Sequence, residues 1–194
     1  VEAPCPQTMQ QQLDGIISGL PEKPAAGYCS ELNTSLPGWL QAVTGSLQKG
    51  LALFIDYGYT RRDYYLPQRR DGTLICHYRH RAHNDPFKWP GLTDISASVD
   101  FTALAEAADL CGLDVCGYTN QAMFLLACGL DRILAGFEHL SETERLKMNN
   151  QVRRLTLPGE MGERFQVMAL GRGLDESMCE NLQGFSLTDL SHRL

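Results

Sequence analysis

The sequence lacks the short motifs that mark the common nucleotide sites and nucleophiles. It contains no G-x-G-x-x-G and no G-x-x-x-x-G-K-[ST], so the glycine loops that hold dinucleotides and triphosphates are not predicted. It contains no G-x-S-x-G, which argues against a serine hydrolase of the α/β class. No apolar run approaches the length of a membrane-spanning helix, so we expect no membrane insertion.

Basic residues are fewer than acidic residues. The chain has 17 Lys and Arg against 23 Asp and Glu, which gives a net charge of -6. Such a balance provides no general attraction to nucleic acid, so we expect no nucleic-acid partner. The hydrophobic content of 43% and charged content of 21% are typical of a globular protein, and 194 residues are enough for one domain with its own core.

Cysteines are present, but the sequence lacks any C-x-x-C pair. The seven cysteines are odd in number and lie mostly in apolar runs, which predicts buried free thiols in a reducing compartment. No closed set of zinc ligands occurs. His77, His80 and His83 are spaced by three, but their surroundings favour extended or looped backbone, which would scatter the rings. We therefore predict no metal site.

An unbroken apolar run at residues 51–55 is the clearest structural signal. It shows no alternation, which predicts a central parallel strand that is covered on both faces. A helix is predicted over residues 35–49 by its apolar spacing, and Gly50 ends it. A helix, a glycine and a buried strand together form one unit of an α/β fold.

The rest of the chain predicts further helices and strands around this unit. Asp100 is a good N-cap, and Ser141 with Glu144 forms a capping box. A loop is expected over residues 79–93. The other predicted helices cover residues 5–20, 101–110, 121–134 and 141–155, and the other predicted strands cover residues 73–78, 113–118 and 164–170.

Chemistry is expected at the end of the apolar run. Ligands of open α/β sheets bind at the carboxyl ends of strands, and Asp56 directly follows this run. Gly58 would then let the backbone turn. A carboxylate at this point binds a cation or accepts a proton, or else it only caps the next turn, and the residues leave both alternatives open. Gln121 similarly contacts a substrate or caps its helix, and the cap is favoured.

At Phe54-Ile55-Asp56-Tyr57-Gly58 the sequence resembles the MidA family of S-adenosyl-L-methionine (SAM)-dependent methyltransferases. The matching pieces occur in the expected order over most of residues 27–170. They are Gly27–Glu31, Gly50–Gly58, Gln68-Arg69, Gly72–Leu74, His80, Asp85-Pro86, Gly91, Asp94–Ser96, Val99–Phe101, Thr119–Gln121, Phe124-Leu125, Gly129-Leu130 and Arg164–Met168.

The resemblance implies a fold and a position within it. The fold class is α/β, the C-terminal half of a Rossmann-like class I methyltransferase sheet with an added helical segment. Residues 1–194 would form one domain: a connecting segment (1–26), the central strand with acceptor-side loops and helices (27–134), and a helical segment with the last strand (135–194). The glycine-rich SAM loop would lie upstream of Val1, so no cofactor-binding residue is assigned within the chain.

The resemblance also implies roles for particular residues. A guanidinium must be held and must lose a proton when it is methylated, and carboxylates do both. Ser96 stands where the family often has Thr. The predicted catalytic residues are Asp56, Tyr57 and Glu31, and the predicted substrate-binding residues are Gly58, Asp94, Ser96, Gln121 and Arg69.

The implied function is protein arginine N-methylation with SAM as the cofactor. The family's mitochondrial member is a complex I assembly factor, so a protein substrate, with a respiratory complex I subunit as one candidate, is the implied partner. The location would be the cytoplasm in a bacterium and the mitochondrial matrix in a eukaryote. Without the SAM loop, we expect the isolated chain to be inactive. The alternative is a non-catalytic binding or assembly module, and self-association of the chain is a further expectation.

Overall fold

The computed structural model describes residues 4–137 and 140–194, which form two sheets surrounded by helices. The strands are β1 (Gly50–Tyr59), β2 (Ile75–Tyr78), β3 (Arg81–His83), β4 (Asp94–Ser96), β5 (Val99–Asp100), β6 (Asp114–Asn120) and β7 (Phe165–Arg172). The helices are α1 (Gln7–Gly19), α2 (Leu36–Thr44), α3 (Arg61–Tyr64), α4 (Phe101–Leu110), α5 (Gln121–Ala127), α6 (Leu130–Ala135), α7 (Glu142–Thr156), α8 (Met161–Arg164) and α9 (Glu176–Glu180). None of the described helices is both long and apolar enough to cross a bilayer.

The larger sheet has four strands in the order β5-β1-β7-β6. β7 is antiparallel to both of its neighbours, and its pairing with β1 runs from Gly50 opposite Arg172 to Tyr57 opposite Phe165. β1 pairs in parallel only with β5, at Gly58 and Tyr59. The α/β class predicted from the sequence is confirmed, but the parallel pairing predicted for the apolar run holds only at the end of β1.

β7 is the strand that the core covers on both faces. Its side chains alternate, as the two-residue period of a strand requires. Met168 and Leu170 pack with Leu40 of α2 and Phe101 of α4, whereas Val167 and Ala169 on the other face pack with the residues around Phe185. Apolar residues on both faces therefore fix β7 in the middle of the sheet.

β1 is covered on one face only. Phe54 packs against the cluster formed with α2 and α4. On the opposite face, Leu51, Leu53 and Ile55 are 42–48% exposed. The prediction that both faces of this run are covered is therefore wrong for this chain, because an unbroken apolar sequence does not specify what packs against its second face.

Several element boundaries differ from the sequence predictions. α2 ends at Thr44, five residues before the predicted end, and Gly50 begins β1. The helix predicted over residues 121–134 is divided between α5 and α6, because Gly129 adopts a left-handed conformation with φ of 90°. β3 and β4 lie in or next to the region predicted as a loop. The Asp100 N-cap and the capping box of Ser141 and Glu144 are confirmed.

The prediction of buried free thiols is confirmed for Cys76 but wrong for most of the other cysteines. A disulfide joins Cys116 of β6 to Cys179 of α9. Cys5, Cys29 and Cys128 are free but exposed rather than buried. The spacing of the two paired cysteines, 63 residues apart, carries no signal that sequence reasoning can use.

Candidate functional site

A cavity of about 390 Å³, which we call the β1 cavity, opens beside the second half of β1. Its walls come from α2, β1, α3, the start of α4 and the two segments that precede α2 and α4. The lining residues are Glu31, Leu32, Asn33, Leu36, Trp39, Phe54, Ile55, Asp56, Tyr64, Tyr65, Ala97, Ser98, Val99, Asp100, Phe101, Ala103 and Leu104.

The β1 cavity carries negative charge. Three carboxylates, those of Glu31, Asp56 and Asp100, belong to its wall, and the described lining residues include no Lys or Arg. Aromatic side chains make up much of the remaining wall. Carboxylates and aromatic ring faces are the groups that attract an organic cation. The structure thus brings together two of the three residues predicted as catalytic, Asp56 and Glu31.

Asp56 lies inside β1 rather than after it. The strand continues to Tyr59, and Asp56 is opposite Gln166 of β7. The pleat places Asp56 on the same side as Phe54, whose ring also lines the β1 cavity. One carboxylate oxygen accepts a hydrogen bond from the amide of Tyr57 at 2.8 Å, and the side chain is exposed. Asp56 is therefore held by one local bond and is accessible to a ligand.

Glu31 is bound by the loop that precedes β2. Its carboxylate accepts hydrogen bonds from the amides of Thr73 and Leu74, from the Thr73 hydroxyl and from the Tyr64 hydroxyl. Burial opposes ionisation, but the hydrogen bonds from Thr73 and Leu74 outweigh it and lower the pKa of Glu31 below its usual value. A Cβ on Gly72 would lie 2.2 Å from the carboxylate, so the loop approaches this closely only because residue 72 is glycine.

Asp100 is the third carboxylate of the β1 cavity. One oxygen caps α4 by accepting a hydrogen bond from the amide of Ala103 at 3.0 Å. The other oxygen is buried, has no hydrogen-bond partner among the described residues and lies 3.6 Å from Nε of Arg61. Burial raises the pKa of Asp100 despite the bonds from Ala103 and the charge of Arg61. Arg61 is itself held by Glu106, which accepts two of its guanidinium hydrogen bonds.

Two tyrosines complete the polar wall. The Tyr64 hydroxyl donates to Glu31 at 3.2 Å and also lies 3.2 Å from the Thr73 hydroxyl. Burial raises the pKa of Tyr64 well above its usual value, and it raises the pKa of Tyr65 to about 12. Both phenols therefore remain protonated near neutral pH, and that of Tyr64 serves as a hydrogen-bond donor.

Gly58 has a packing role instead of the predicted turn. It lies within β1, and a Cβ at this position would be 2.3 Å from the Val99 carbonyl and 2.7 Å from the Phe101 ring. The absence of a side chain lets β5 and the start of α4 lie directly on β1. That contact places Asp100 in the wall of the β1 cavity.

Tyr57, predicted as a catalytic residue, is not among the residues that line the β1 cavity. Its ring makes an edge contact with Phe165, with ring centroids 5.8 Å apart. Its predicted catalytic role stays a prediction.

Arg69 lies at a second cavity of about 420 Å³, between the ends of β1 and β6. Its guanidinium lies 3.8 Å from the centre of the Tyr59 ring and donates to the carbonyl of Asp63. Gly58 also lines this second cavity. Gly58 and Arg69, both predicted to contact the substrate, thus line the same cavity.

None of Asp94, Ser96 and Gln121 lines either cavity. Asp94 and Ser96 belong to β4, opposite His77 and Ile75 of β2. Gln121 is buried, and its side-chain nitrogen donates to the carbonyl of Leu155 at 3.0 Å, which ties α5 to α7. Asn120, not Gln121, caps α5. The substrate roles of these three residues stay predictions.

The three histidines spaced by three do not converge. Residue 83 of β3 is opposite Cys76, whereas His77 is opposite Ala82, and His80 lies in the turn between the strands. No group of three or more His, Cys, Asp or Glu side chains suitable for a metal occurs in the described part of the chain.

Sequence reasoning missed Asp100, Tyr64 and Tyr65 as site residues. Asp100 was recognised only as a helix cap, and it reaches the wall of the β1 cavity because β5 lies on Gly58. The tyrosines occupy a stretch without periodicity. Only the clustering of aromatic residues near Asp56 offered a signal for them.

Comparison with known proteins gives concordant matches. A family model described as "Putative S-adenosyl-L-methionine-dependent methyltransferase" matches residues 4–119, more than half of the chain. A mitochondrial protein arginine methyltransferase NDUFAF7 homolog of Drosophila melanogaster is 31% identical over 130 residues, which are 64% of this chain and 27% of that protein. The mitochondrial protein arginine methyltransferase NDUFAF7 of Danio rerio is 32% identical over 127 residues, 62% of this chain and 27% of that protein.

Two crystal structures of COG1565 superfamily proteins from Burkholderia thailandensis match the fold. One is bound to S-adenosyl-homocysteine, with a TM-score of 0.84 and 40% identity, and it matches 100% of this chain and 47% of its own. The other is a native structure with a TM-score of 0.86 and 40% identity, of which 50% is matched. The chain therefore spans about half the length of these solved proteins and about a quarter of the curated relatives.

Proposed function

This chain belongs to the SAM-dependent methyltransferase family whose model matches residues 4–119, and on that premise we propose that it forms the acceptor side of a protein arginine N-methyltransferase. The relatives from Drosophila melanogaster and Danio rerio carry the name protein arginine methyltransferase, which supports arginine as the acceptor. The family resemblance predicted from the sequence is confirmed. The identity of the methyl acceptor is the part that we propose.

The acidic wall of the β1 cavity is the observation that carries the proposal. Arginine is a planar cation, and carboxylates bind its guanidinium through paired, charge-assisted hydrogen bonds. Asp56 is accessible, and one of its oxygens has no hydrogen-bond partner among the described residues. Phe54 and Tyr65 line the same space and offer ring surface to the guanidinium plane.

Methyl transfer to a guanidinium requires orientation of one nitrogen and loss of one proton. SAM supplies the methyl group when it is bound: a nitrogen–carbon bond forms, the sulfonium–methyl bond breaks and the sulfur leaves as a neutral thioether. The chain's own part is to hold the guanidinium so that one nitrogen faces the methyl group. The proton released from that nitrogen passes to a carboxylate, and we assign this role to Asp56.

Glu31 and Asp100 have supporting roles in this proposal. The Glu31 oxygens already accept hydrogen bonds from Thr73, Leu74 and Tyr64, so Glu31 positions the wall and contributes charge. The oxygen of Asp100 that has no hydrogen bond is buried beside Arg61, so Asp100 contributes charge to the wall and no direct contact with the guanidinium.

We place the residues that bind SAM outside this chain. The β1 cavity fits a cation, whereas the described residues contain no glycine-rich loop between a strand and a helix that would hold the nucleoside. The solved relative bound to S-adenosyl-homocysteine is about twice as long as this chain. The 194-residue chain alone should show no micromolar SAM binding by calorimetry. Such binding would contradict this placement.

The same two relatives support a proposal for the protein substrate and for the location of the protein. Both curated relatives are mitochondrial, so a eukaryotic version of this protein would act in the mitochondrial matrix and a bacterial one in the cytoplasm. A complex I subunit is the candidate substrate in the first case.

Asp56→Asn in the full-length protein tests the mechanism. The amide keeps the size of the side chain but removes the charge, so kcat should fall by a factor of about 10² or more. Asp109→Asn is the matched control, because Asp109 is exposed on α4 outside the β1 cavity. Wild-type kcat and KM in Asp56→Asn would remove Asp56 from the mechanism.

The identity of the acceptor needs its own measurement. Acid hydrolysis of methylated substrate followed by mass spectrometry distinguishes methylarginine from methyllysine and other products. Methylarginine is expected. Methyllysine alone would retain a methyltransferase but overturn the arginine assignment.

A non-catalytic binding module is the second candidate, and the exposed apolar face of β1 favours it. That face would then bind a partner without chemistry. A complete protein that binds SAM and its substrate but transfers no methyl group would support this candidate.

A further inference from the structure

A second cluster of unusual side chains lies at the end of the β2–β3 hairpin, away from the β1 cavity. Tyr78, Arg79, Arg81 and Trp89, which we call the tip cluster, line a cavity of about 410 Å³. The tip cluster shares no lining residue with the β1 cavity. Its two arginines and Trp89 are exposed.

The aromatic rings of the tip cluster form a supported surface. The Tyr78 and Trp89 rings lie 4.6 Å apart at an interplanar angle of 40°. The Arg79 guanidinium is 5.4 Å from the Tyr78 ring centre, and the Lys88 ammonium is 4.4 Å from the Trp89 ring centre. The rings hold these cationic side chains in place at the surface. The side chains therefore lose less conformational freedom when a ligand binds to them.

The positive charges at the tip cluster, those of Arg79, Arg81 and the neighbouring Lys88, have no acidic partner in the described part of the chain. No ion pair joins Arg79, Arg81 or Lys88 to any carboxylate within residues 4–137 and 140–194, whereas Arg61 and Arg193 are paired. Asp85, which lies between Arg81 and Lys88 in the sequence, accepts a hydrogen bond from the amide of Phe87 instead. A chain with a net charge of -6 thus keeps a local group of unpaired positive charges.

Three residues of this region have a positive φ although none of them is glycine. Arg79 and His80 have φ of 47° and 62° and form the two-residue turn between Tyr78 and Arg81. Asn-Gly is the preferred sequence for such a turn. Trp89 also has a positive φ of 56°, which is rare for a bulky residue. Strained positions that keep large side chains occur where those side chains have a function.

We propose that the tip cluster binds an acidic segment of a partner protein. Arg79 and Arg81 would bond its carboxylates, while the rings of Tyr78 and Trp89 would cover the stems of its side chains. Nucleic acid is the less favoured partner, because the net charge of -6 repels a continuous polyanion, whereas a short acidic peptide meets only the local positive group. The proposal does not depend on methyl transfer.

A peptide titration tests this interaction in the 194-residue chain. The probe is a fluorescein-labelled peptide of alternating Glu and Gly, followed by fluorescence anisotropy at low and at physiological salt. The Arg79→Gln/Arg81→Gln variant should raise the Kd by about tenfold or more. Arg153→Gln/Arg154→Gln removes the same charge from two exposed arginines of α7 and should leave the Kd within about twofold of wild type.

A charge swap supplies the second measurement. Arg81→Glu should weaken binding of the Glu-Gly peptide and gain binding to a Lys-Gly peptide, a result that loss of folding does not produce. Three outcomes would each overturn the proposal: no binding of the Glu-Gly peptide to wild type, equal losses in the two double variants, or tighter binding of an oligouridylate of equal length than of the peptide.

Discussion

Gly58 brings β1, β5 and α4 into direct contact beside Asp56. Gly58→Ala would force a methyl group against the Val99 carbonyl and the Phe101 ring, so we expect a loss of about 1–3 kcal/mol in the free energy of unfolding. Urea denaturation measures this loss. Gly38→Ala is the control, because a Cβ on Gly38 of α2 meets nothing within 4 Å and should be neutral or stabilising. Equal effects of the two substitutions would contradict the packing role.

Glu31 should make the stability of the chain depend on acid pH. Its pKa is lowered in the folded chain, so the folded state binds fewer protons than the unfolded state in acid. The stabilisation is present above the unfolded pKa and is lost as the pH falls through the folded pKa. Between about pH 6 and about pH 3, wild type should therefore lose more stability than Glu31→Gln.

Thermal denaturation at a series of pH values follows this difference. Glu22→Gln is the matched control, because Glu22 is exposed. Its pH dependence should follow that of wild type. Parallel curves for Glu31→Gln and wild type would show that the hydrogen bonds to Thr73 and Leu74 do not stabilise the ionised form.

The sequence located individual site residues unevenly, for a physical reason. Asp56 was found because it follows an apolar run, which is a local pattern. The bonds between Glu31 and Thr73 link residues 42 positions apart, and no local pattern specifies them. Asp100 enters the site through the contact made at Gly58, so its second role depends on tertiary packing that propensity does not contain.

At the scale of elements, α9 and β6 are joined by the disulfide between Cys116 and Cys179. The bridge closes a long loop, and the loss of chain entropy in the unfolded state should stabilise the fold by about 4 kcal/mol in the entropic model. Cys179→Ser, or a reducing agent, should lower the urea midpoint accordingly. Cys128→Ser changes an exposed free thiol and should have no effect. An unchanged midpoint under reduction would contradict the bridge.

Element type was more predictable than pairing. The strand at residues 51–55, the Asp100 cap and the capping box of α7 depend on neighbouring residues and were predicted. The antiparallel partner of β1 lies more than 100 residues further along the chain, and strand order leaves no local trace. β3, β4 and β5 contain only two or three residues each, which is too short for a hydrophobic period to be recognised.

At the scale of the whole molecule, the uncovered side of β1 is the feature that should govern association between chains. Leu51, Leu53 and Ile55 are exposed, and residues 50–57 have no strand partner on the side of β5 among the described residues. An apolar face next to an open edge favours association between chains. We therefore predict that the isolated chain self-associates as its concentration rises.

Light scattering over a concentration series measures this association. Leu53→Lys places a charge on the exposed face and should shift the chain toward the monomer. Leu146→Lys is the control, because Leu146 is also exposed, at 60% against 47% for Leu53, but lies on α7. A wild-type chain that stays monomeric, or equal effects of both substitutions, would contradict an interface on β1.

The position of β7 in the sheet has a consequence for synthesis of the protein. β7 lies between β1 and β6 although it comes last of the three in the chain. Until residue 172 has left the ribosome, β1 and β6 lack the strand that joins them, and β1 waits for more than 100 residues of translation. Nascent chains should therefore present the apolar residues of β1 to chaperones for longer than a protein whose sheet forms in sequence order.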